Sequence, residues 1–153
     1  MDIHSRAPFP SGALSNFYPH SFIFDDVQCA SMEGLLQSTK FQDVVKQREI
    51  CQLSGLEAKR AGEGLRDYRR TKLYWNSASL DRLGEEWQDF LDLAYASMFD
   101  QAEHFRDALL ASGNEVLTHR IGKVDPNFTM LTVDEFCGRL MALRDILKFG
   151  VST

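Results

Sequence analysis

The sequence predicts a mainly α-helical α+β fold, a compact single domain over residues 1–153 with a short β-hairpin near its amino terminus. Apolar residues recur at steps of three and four in several segments, which is the period of amphipathic helices. Two apolar triplets flank an acidic pair early in the chain, a pattern that is typical of a hairpin. The chain has no repeat, low-complexity segment or linker, and its length suits one sizeable core.

The amino-terminal third is predicted to hold the hairpin and one helix. Residues 1–20 contain three of the four prolines and are expected to be extended or looped. The hairpin pairs Phe22–Phe24 with Val27–Cys29 and has the acidic pair at its tip. A helix over residues 31–41 follows, capped by Ser31, with its leucines facing the core.

Helices are predicted to dominate the rest of the chain. Two short ones cover residues 44–53 and 56–61, and each is ended by glycine. Another covers residues 101–111. The clearest amphipathic stripe, expected to span the core as one helix, comprises Leu80, Leu83, Trp87, Leu91, Ala94 and Met98.

The carboxy-terminal part combines an extended segment, a turn and a helix. Residues 115–121 predict a short strand or an extended segment, and residues 125–127 predict a turn. Thr132 and Glu135 have the spacing of a capping box, which opens the last helix. The apolar stripe of that helix comprises Phe136, Leu140, Leu143 and Leu147.

Composition and charge narrow the class of protein. With 44% hydrophobic and 25% charged residues, the composition is that of a soluble globular protein. No apolar run approaches a membrane span and the start of the chain lacks a signal-peptide pattern, so we expect no membrane partner and a cytoplasmic location. A net charge of −5 argues against a protein that mainly grips the nucleic-acid backbone. The basic run from Arg66 to Lys72 leaves open a local basic site, or a solvated loop or helix end.

Cysteine and histidine usage predicts neither a metal site nor a cofactor site. Cys29, Cys51 and Cys137 are isolated and odd in number, which favours reduced thiols in the core. The four histidines are scattered without metal-ligand spacing. There is no glycine-rich phosphate loop, so no dinucleotide cofactor is expected.

The helix over residues 31–41 is the best candidate for a functional site. At about 100° per residue it places Glu33, Gln37 and Lys40 on one stripe, so that an acid, an amide and a cation share a face. The turn-prone run 14–19 just before the hairpin could fold back over that face. A solvated helix surface is the alternative.

Several short motifs occur in an order that resembles one known family. They are the run 14–19 with its Ser-Asn-Phe turn, the helix 32–41, the segment 58–62, Trp75, and the closing helix with its ending at residues 140–144. This chain resembles the NADAR (YbiA-like) family over nearly its whole length. The resemblance implies a compact helical domain with a short hairpin.

The resemblance also implies N-glycosidase activity, the hydrolysis of a bond between a ribose anomeric carbon and a base nitrogen. The implied partner is a small nucleotide-like molecule, a phosphorylated riboflavin-pathway intermediate, or ADP-ribosylated guanine in nucleic acid. Glu33 occupies the family's glutamate position, where a carboxylate would stabilise an oxocarbenium-like sugar or take a proton from water. Asp125 matches the acidic residue before the last helix, although an Asp-Pro turn explains it equally well.

The remaining roles follow from the same resemblance. Gln37 and Lys40 are expected to hold ribose hydroxyls or a phosphate, and Asn16 and Phe17 to shape the rim. Trp75 is expected either to stack on the departing base or to lie half-buried at a helix start. The chain departs from the family pattern where glycine follows Glu33 in place of the usual histidine. It departs again where the loop before the last helix lacks the family's glycine-rich segment.

These departures keep two other functions open. One is a catalytically silent module that binds ADP-ribose or a nucleotide. The other is a helical protein that only binds a partner.

Overall fold

The computed structural model describes residues 1–63 and 72–150, and it confirms a mainly helical α+β fold with small hairpins. Residues 64–71 lie outside the described part of the chain, and they include all of the basic run from Arg66 to Lys72 except Lys72. Lys72 is the first residue of a strand. The strands are β1 (Phe22–Phe24), β2 (Val27–Cys29), β3 (Lys72–Trp75) and β4 (Ala78–Asp81). The helices are α1 (Ser11–Leu14), α2 (Met32–Ser38), α3 (Val44–Cys51), α4 (Gly55–Glu63), α5 (Glu85–Gln101), α6 (Glu103–Ala111) and α7 (Val133–Phe149).

The two side-chain caps that the sequence predicted, at Ser31 and Thr132, are both present. The Ser31 Oγ accepts a hydrogen bond from the backbone N–H of Gly34 at 3.0 Å and begins α2. The capping box of Thr132 and Glu135 is present at the start of α7, with both reciprocal bonds formed. The predicted helices over residues 44–53 and 56–61 correspond to α3 and α4.

The predicted hairpin is confirmed, and β1 pairs antiparallel with β2. At its tip Asp25 and Asp26 have φ angles of 50° and 63°, so both adopt the left-handed conformation that a two-residue hairpin turn requires. Neither residue is glycine, but aspartate tolerates this conformation better than most residues.

A second hairpin, β3–β4, replaces the first turn of the predicted long helix. Leu80 lies in β4 opposite Leu73, and Leu83 is exposed, so the predicted stripe was wrong at these two positions. The helix α5 begins only after Gly84. Two leucines three apart fit a helical period locally, but strand pairing across the Asn76 turn decides the structure.

Residues 115–121 are extended rather than a regular strand. One parallel bridge joins Asp2 to Thr118, and the N–H of Ile3 donates to the Thr118 carbonyl at 2.8 Å. These bonds fix the start of the chain against the segment that leads into the 119–132 loop.

The helix α5 lies at the centre of the core. Its buried side chains include Trp87, Leu91 and Tyr95, and they pack with residues from α2, α6 and α7. All three cysteines are buried and unpaired, as predicted. Among the described residues no helix is long and apolar enough to cross a membrane.

Candidate active site

A cavity of about 680 Å³ lies on one side of α2. Its walls come from residues 4–6, residues 15–17, the helices α2 and α4, and the loop 119–132. These segments are far apart in the sequence and meet only in the fold. The volume lies within the range of small-molecule sites in proteins.

Glu33 lies in the first turn of α2 and lines this cavity. Its backbone N–H donates to the Asn16 carbonyl at 3.0 Å, which ties the turn 15–17 to the helix. Its carboxylate accepts a hydrogen bond from the Gln37 Nε2 at 2.9 Å. Burial raises the pKa of the Glu33 carboxyl, while the Gln37 hydrogen bond and the positive charges of Lys40 and Lys59 oppose that rise.

Gln37 is held between Glu33 and the helix α4. The Gln37 side chain is buried, and among the described residues no donor reaches its Oε1. That oxygen lies against Gly62, where an added Cβ would be only 1.8 Å away. Glycine at position 62 therefore allows α4 to approach α2 closely enough to fix the amide. The Lys40 Nζ reaches the Gly62 carbonyl from the same side at 3.4 Å.

The Asn16 side chain is held by a hydrogen bond from a buried residue of the core. The buried Tyr95 of α5 donates its O–H to the Asn16 Oδ1 at 2.8 Å. Burial raises the pKa of the Tyr95 phenol, with a further rise from the charge of Glu33, so it remains a donor at neutral pH. The turn that carries Asn16 and Phe17 is thereby fixed at the cavity wall.

The cavity is cationic although the protein is acidic. Glu33 is the only carboxylate among the described residues that line it. The basic side chains along its wall are Arg6, Lys40, Lys59, Arg82 and Lys123. A positive cavity in a chain of net charge −5 attracts an anionic ligand and retains it.

The loop 119–132 is anchored by a buried ion pair that the sequence did not indicate. The Arg82 guanidinium donates to both Glu135 carboxylate oxygens, at 2.7 and 3.1 Å, and to the Thr129 carbonyl at 2.9 Å. The Trp87 Nε1 donates to the Met130 carbonyl at 2.9 Å. Because both contacts end on loop carbonyls, the loop is held as a wall of the cavity.

His119 is a second cavity residue that sequence reasoning missed. Its Nδ1 lies 2.8 Å from the Ile3 carbonyl, and its ring meets the edge of Phe136 with ring centres 5.5 Å apart. The pairing of Asp2 with the neighbouring Thr118 brings it to the cavity wall. No local sequence pattern marks it.

Five of the predicted site residues line the cavity, and two do not. The five are Asn16, Phe17, Glu33, Gln37 and Lys40. Trp75 is instead 7% exposed, packs on Phe24 and Phe90, and donates its Nε1 to the Asp25 Oδ2 at 2.9 Å. Asp125 accepts from the backbone N–H of Asn127 and from its Nδ2, both at 2.9 Å, so its carboxylate serves the turn.

Trp75 and Asp125 therefore do not line the cavity, and their proposed roles in base stacking and catalysis stay predictions. Trp75 lies in β3 with its side chain buried, and its ring makes an edge contact with Phe90 of α5. Asp125 is explained by its Asp-Pro turn.

The fold is that of a YbiA-like α+β protein. The NMR structure of the Escherichia coli protein YbiA is similar, with a TM-score of 0.63 at 22% identity, over 97% of this chain and 84% of that one. The sequence model of the family described as "Bacteriophage protein GP30.3" matches residues 8–145. The chain therefore belongs to the GP30.3 family, and its NADAR/YbiA-like assignment is confirmed.

One relative comes from a bacteriophage. It is described as the uncharacterized 17.1 kDa protein in the Gp30–rIII intergenic region of Enterobacteria phage T4, and it is 39% identical over 149 residues. That match covers 96% of this chain and 98% of the relative.

Proposed function

We propose that this protein is an N-glycosidase that hydrolyses a ribose–base bond in an anionic, nucleotide-like substrate. The observation that carries the proposal is the placement of Glu33. It is oriented by Gln37, and it is the one carboxylate among the described residues of a cavity whose other charged side chains are cationic. Membership of the NADAR/YbiA-like family supports the same reaction class.

The charges suit the transition state of this reaction. As the bond from the anomeric carbon to the base nitrogen lengthens, positive charge develops on the sugar ring. The Glu33 carboxylate would stabilise that charge and take a proton from the attacking water. The electron pair of the broken bond leaves with the base nitrogen, which is protonated to give the free base and a ribose with a new hydroxyl.

Burial of Glu33 makes it a better base than a solvent-exposed glutamate. The raised pKa of Glu33 is closer to neutral pH than that of an exposed glutamate, and a base with a higher pKa takes a proton from water more readily. The Gln37 amide donates to one carboxylate oxygen and leaves the other available.

The substrate is proposed to carry phosphate. Lys40 follows the end of α2, Lys59 lies on α4 and Lys123 lies in the 119–132 loop, so they line the cavity from three different segments. Two substrates meet this description, a phosphorylated aminopyrimidine intermediate of riboflavin synthesis and guanine-linked ADP-ribose in DNA. Both contain the ribose–nitrogen bond that Glu33 would face.

A turnover screen by mass spectrometry tests the proposal. Wild type and Glu33→Gln are incubated with each of the two substrates, and released base or ADP-ribose is quantified. We expect release by wild type from one of them and a loss of at least about a hundredfold in Glu33→Gln, the effect of losing a general base. Equal turnover by a folded Glu33→Gln variant would exclude the mechanism.

A catalytically silent binding module is the second candidate. The basic wall of the cavity is compatible with it, since Arg6, Lys40 and Lys59 would retain an anionic ligand whether or not that ligand is cleaved. Calorimetric binding of ADP-ribose or a nucleotide, without product after long incubation, would support this function instead.

A further inference from the structure

We infer that His119 is a second catalytic residue, a general acid that protonates the departing base in the cavity that Glu33 also lines. This inference rests on the proposed N-glycosidase function and names the group that completes it. Release of a base as an anion is slow, so a proton donor on the leaving-group side is worth a large factor in rate.

The hydrogen bond of His119 to the chain start sets which ring nitrogen is available. A carbonyl oxygen only accepts, so the His119 Nδ1, 2.8 Å from the Ile3 carbonyl, carries a proton. The second proton of the imidazolium is therefore on Nε2. Among the described residues no side chain or backbone group bonds to that nitrogen, and the ring lines the cavity.

The ring orientation is fixed by its packing. The edge-to-face contact with Phe136 has ring planes at 80°, and the His119 Cδ2 is 2.8 Å from where a Cβ on Gly122 would lie. Glycine at position 122 thus admits the ring. A side chain fixed by a hydrogen bond and two packing contacts is pre-organised for proton transfer.

Glu33 and His119 interact electrostatically. His119 in its charged form lowers the pKa of Glu33, so an ionised Glu33 and a protonated His119 stabilise each other. The other titratable and charged groups that face the cavity are His4, Arg6, Lys40, Lys59, Arg82 and Lys123.

The proposed step balances in atoms and electrons. The bond between the anomeric carbon and the base nitrogen breaks, its electron pair goes to nitrogen, and the Nε2 proton of His119 joins that nitrogen. Water adds to the anomeric carbon and its proton goes to the Glu33 carboxylate. Transfer of that proton back to His119 through solvent restores both residues, and the net reaction consumes one water.

The test is the pH dependence of kcat in wild type and His119→Asn. Asparagine can keep the hydrogen bond to the Ile3 carbonyl through its Nδ2, so the local structure is retained, but it cannot donate a titrating proton. We expect kcat to fall about a hundredfold or more with KM nearly unchanged, and the alkaline limb of the profile to disappear. His104→Asn is the matched control, because His104 is on α6, where it packs on Phe9 and Tyr18 and does not line the cavity.

A leaving-group series adds a readout that a structural role would not change. Among ribosides that wild type hydrolyses, the deficit of His119→Asn should grow as the departing nitrogen becomes more basic in its anionic form. A deficit equal for all leaving groups, or an unchanged alkaline limb, would overturn the role of His119 and leave the proposed function standing. Absence of wild-type turnover on both substrates of the screen would overturn the proposed function itself and this inference with it.

Discussion

The Gln37 amide oxygen lies against the α-carbon of Gly62, at a place where any other residue would put a Cβ 1.8 Å from that oxygen. This contact packs α2 against α4 and fixes the Gln37 side chain, whose Nε2 donates a hydrogen bond to Glu33. The position of the proposed catalytic carboxylate therefore depends on the absence of a side chain at Gly62 in α4.

Gly62→Ala is expected to reduce activity much more than stability. The new methyl would displace the end of a flexible side chain, and alanine is the better helix former by about 1 kcal/mol, so the free energy of unfolding should change by less than about 1 kcal/mol. Displacing Gln37 removes its hydrogen bond to Glu33, and the misplacement should lower kcat/KM by on the order of tenfold to a hundredfold. Urea unfolding and kinetics on the same preparation check this, and a fully active variant would contradict it.

Glu33→Gln should lose turnover and gain stability at neutral pH. Because burial raises the pKa of Glu33 above its ordinary 4.5, the unfolded chain releases the proton first as pH rises. Stability is therefore lost between 4.5 and the raised folded pKa, and the neutral glutamine escapes that loss. Melting temperatures from pH 4 to 8 should show the variant above wild type at pH 7 and the two converging below 4.5; a variant less stable than wild type at pH 7 would contradict this.

The sequence predicted part of this site because that part lies within one helix. Glu33 and Gln37 are four residues apart, so helical geometry alone puts them on one face, and the observed hydrogen bond follows. Lys40 lies beyond the end of α2 at Ser38 but still reaches the cavity. His119 could not be predicted, because its place depends on pairing between the two ends of the chain.

The fold divides in the same way between local and long-range causes. The caps at Ser31 and Thr132 and the first hairpin follow from neighbouring residues, and these features were predicted. The β3–β4 hairpin was missed because the spacing of Leu80 and Leu83 extends the helical period of α5 back to its second strand. Its turn residues, Asn76 and Ser77, have positive φ angles of 47° and 72°. Strand pairing outweighed the apparent helical period of Leu80 and Leu83.

Glu135→Gln is expected to destabilise the protein by about 3 kcal/mol, the usual cost of leaving one partner of a buried ion pair alone. The side chains of Arg82 and Glu135 are only 3% and 14% exposed, so the guanidinium would keep its charge without a counterion. Glu49→Gln is the control, since its pair with Lys46 is long at 3.9 Å and exposed, and should cost less than about 0.5 kcal/mol. Chemical denaturation that showed equal costs would contradict the prediction.

The same substitution should flatten the acid limb of stability. Burial alone would raise the pKa of Glu135, but hydrogen bonds from Arg82, Thr132 and Gln88 outweigh it and hold the pKa below 4.5. A lowered pKa contributes stability that is complete above 4.5 and is lost as pH falls through the folded pKa. Unfolding free energies of wild type should therefore fall below pH 4.5 more steeply than those of Glu135→Gln; parallel curves would exclude this role for the carboxylate.

Lys40→Ala should weaken binding of a phosphorylated ligand about tenfold more than binding of its dephosphorylated form, because a fixed cation forms a charge-assisted hydrogen bond with phosphate. Lys46→Ala, which removes an exposed lysine outside the cavity, should change neither affinity. Calorimetry with the two forms of one ligand makes the comparison. Equal losses for both forms would remove Lys40 from phosphate recognition.

Gly34→Ala should destabilise the protein by about 2–3 kcal/mol, in contrast to Gly62→Ala. A Cβ at position 34 would lie 2.5 Å from the Leu53 carbonyl oxygen and 2.9 Å from that of Ile50, and backbone at the end of α3 cannot swing aside as the Gln37 side chain can. Gly138→Ala is the matched control: no atom lies within 4 Å of its added Cβ on the exposed face of α7, so helix propensity should stabilise it by up to about 1 kcal/mol. Urea unfolding of the two variants should therefore give shifts of opposite sign, and a Gly34→Ala protein as stable as wild type would show that α3 can yield.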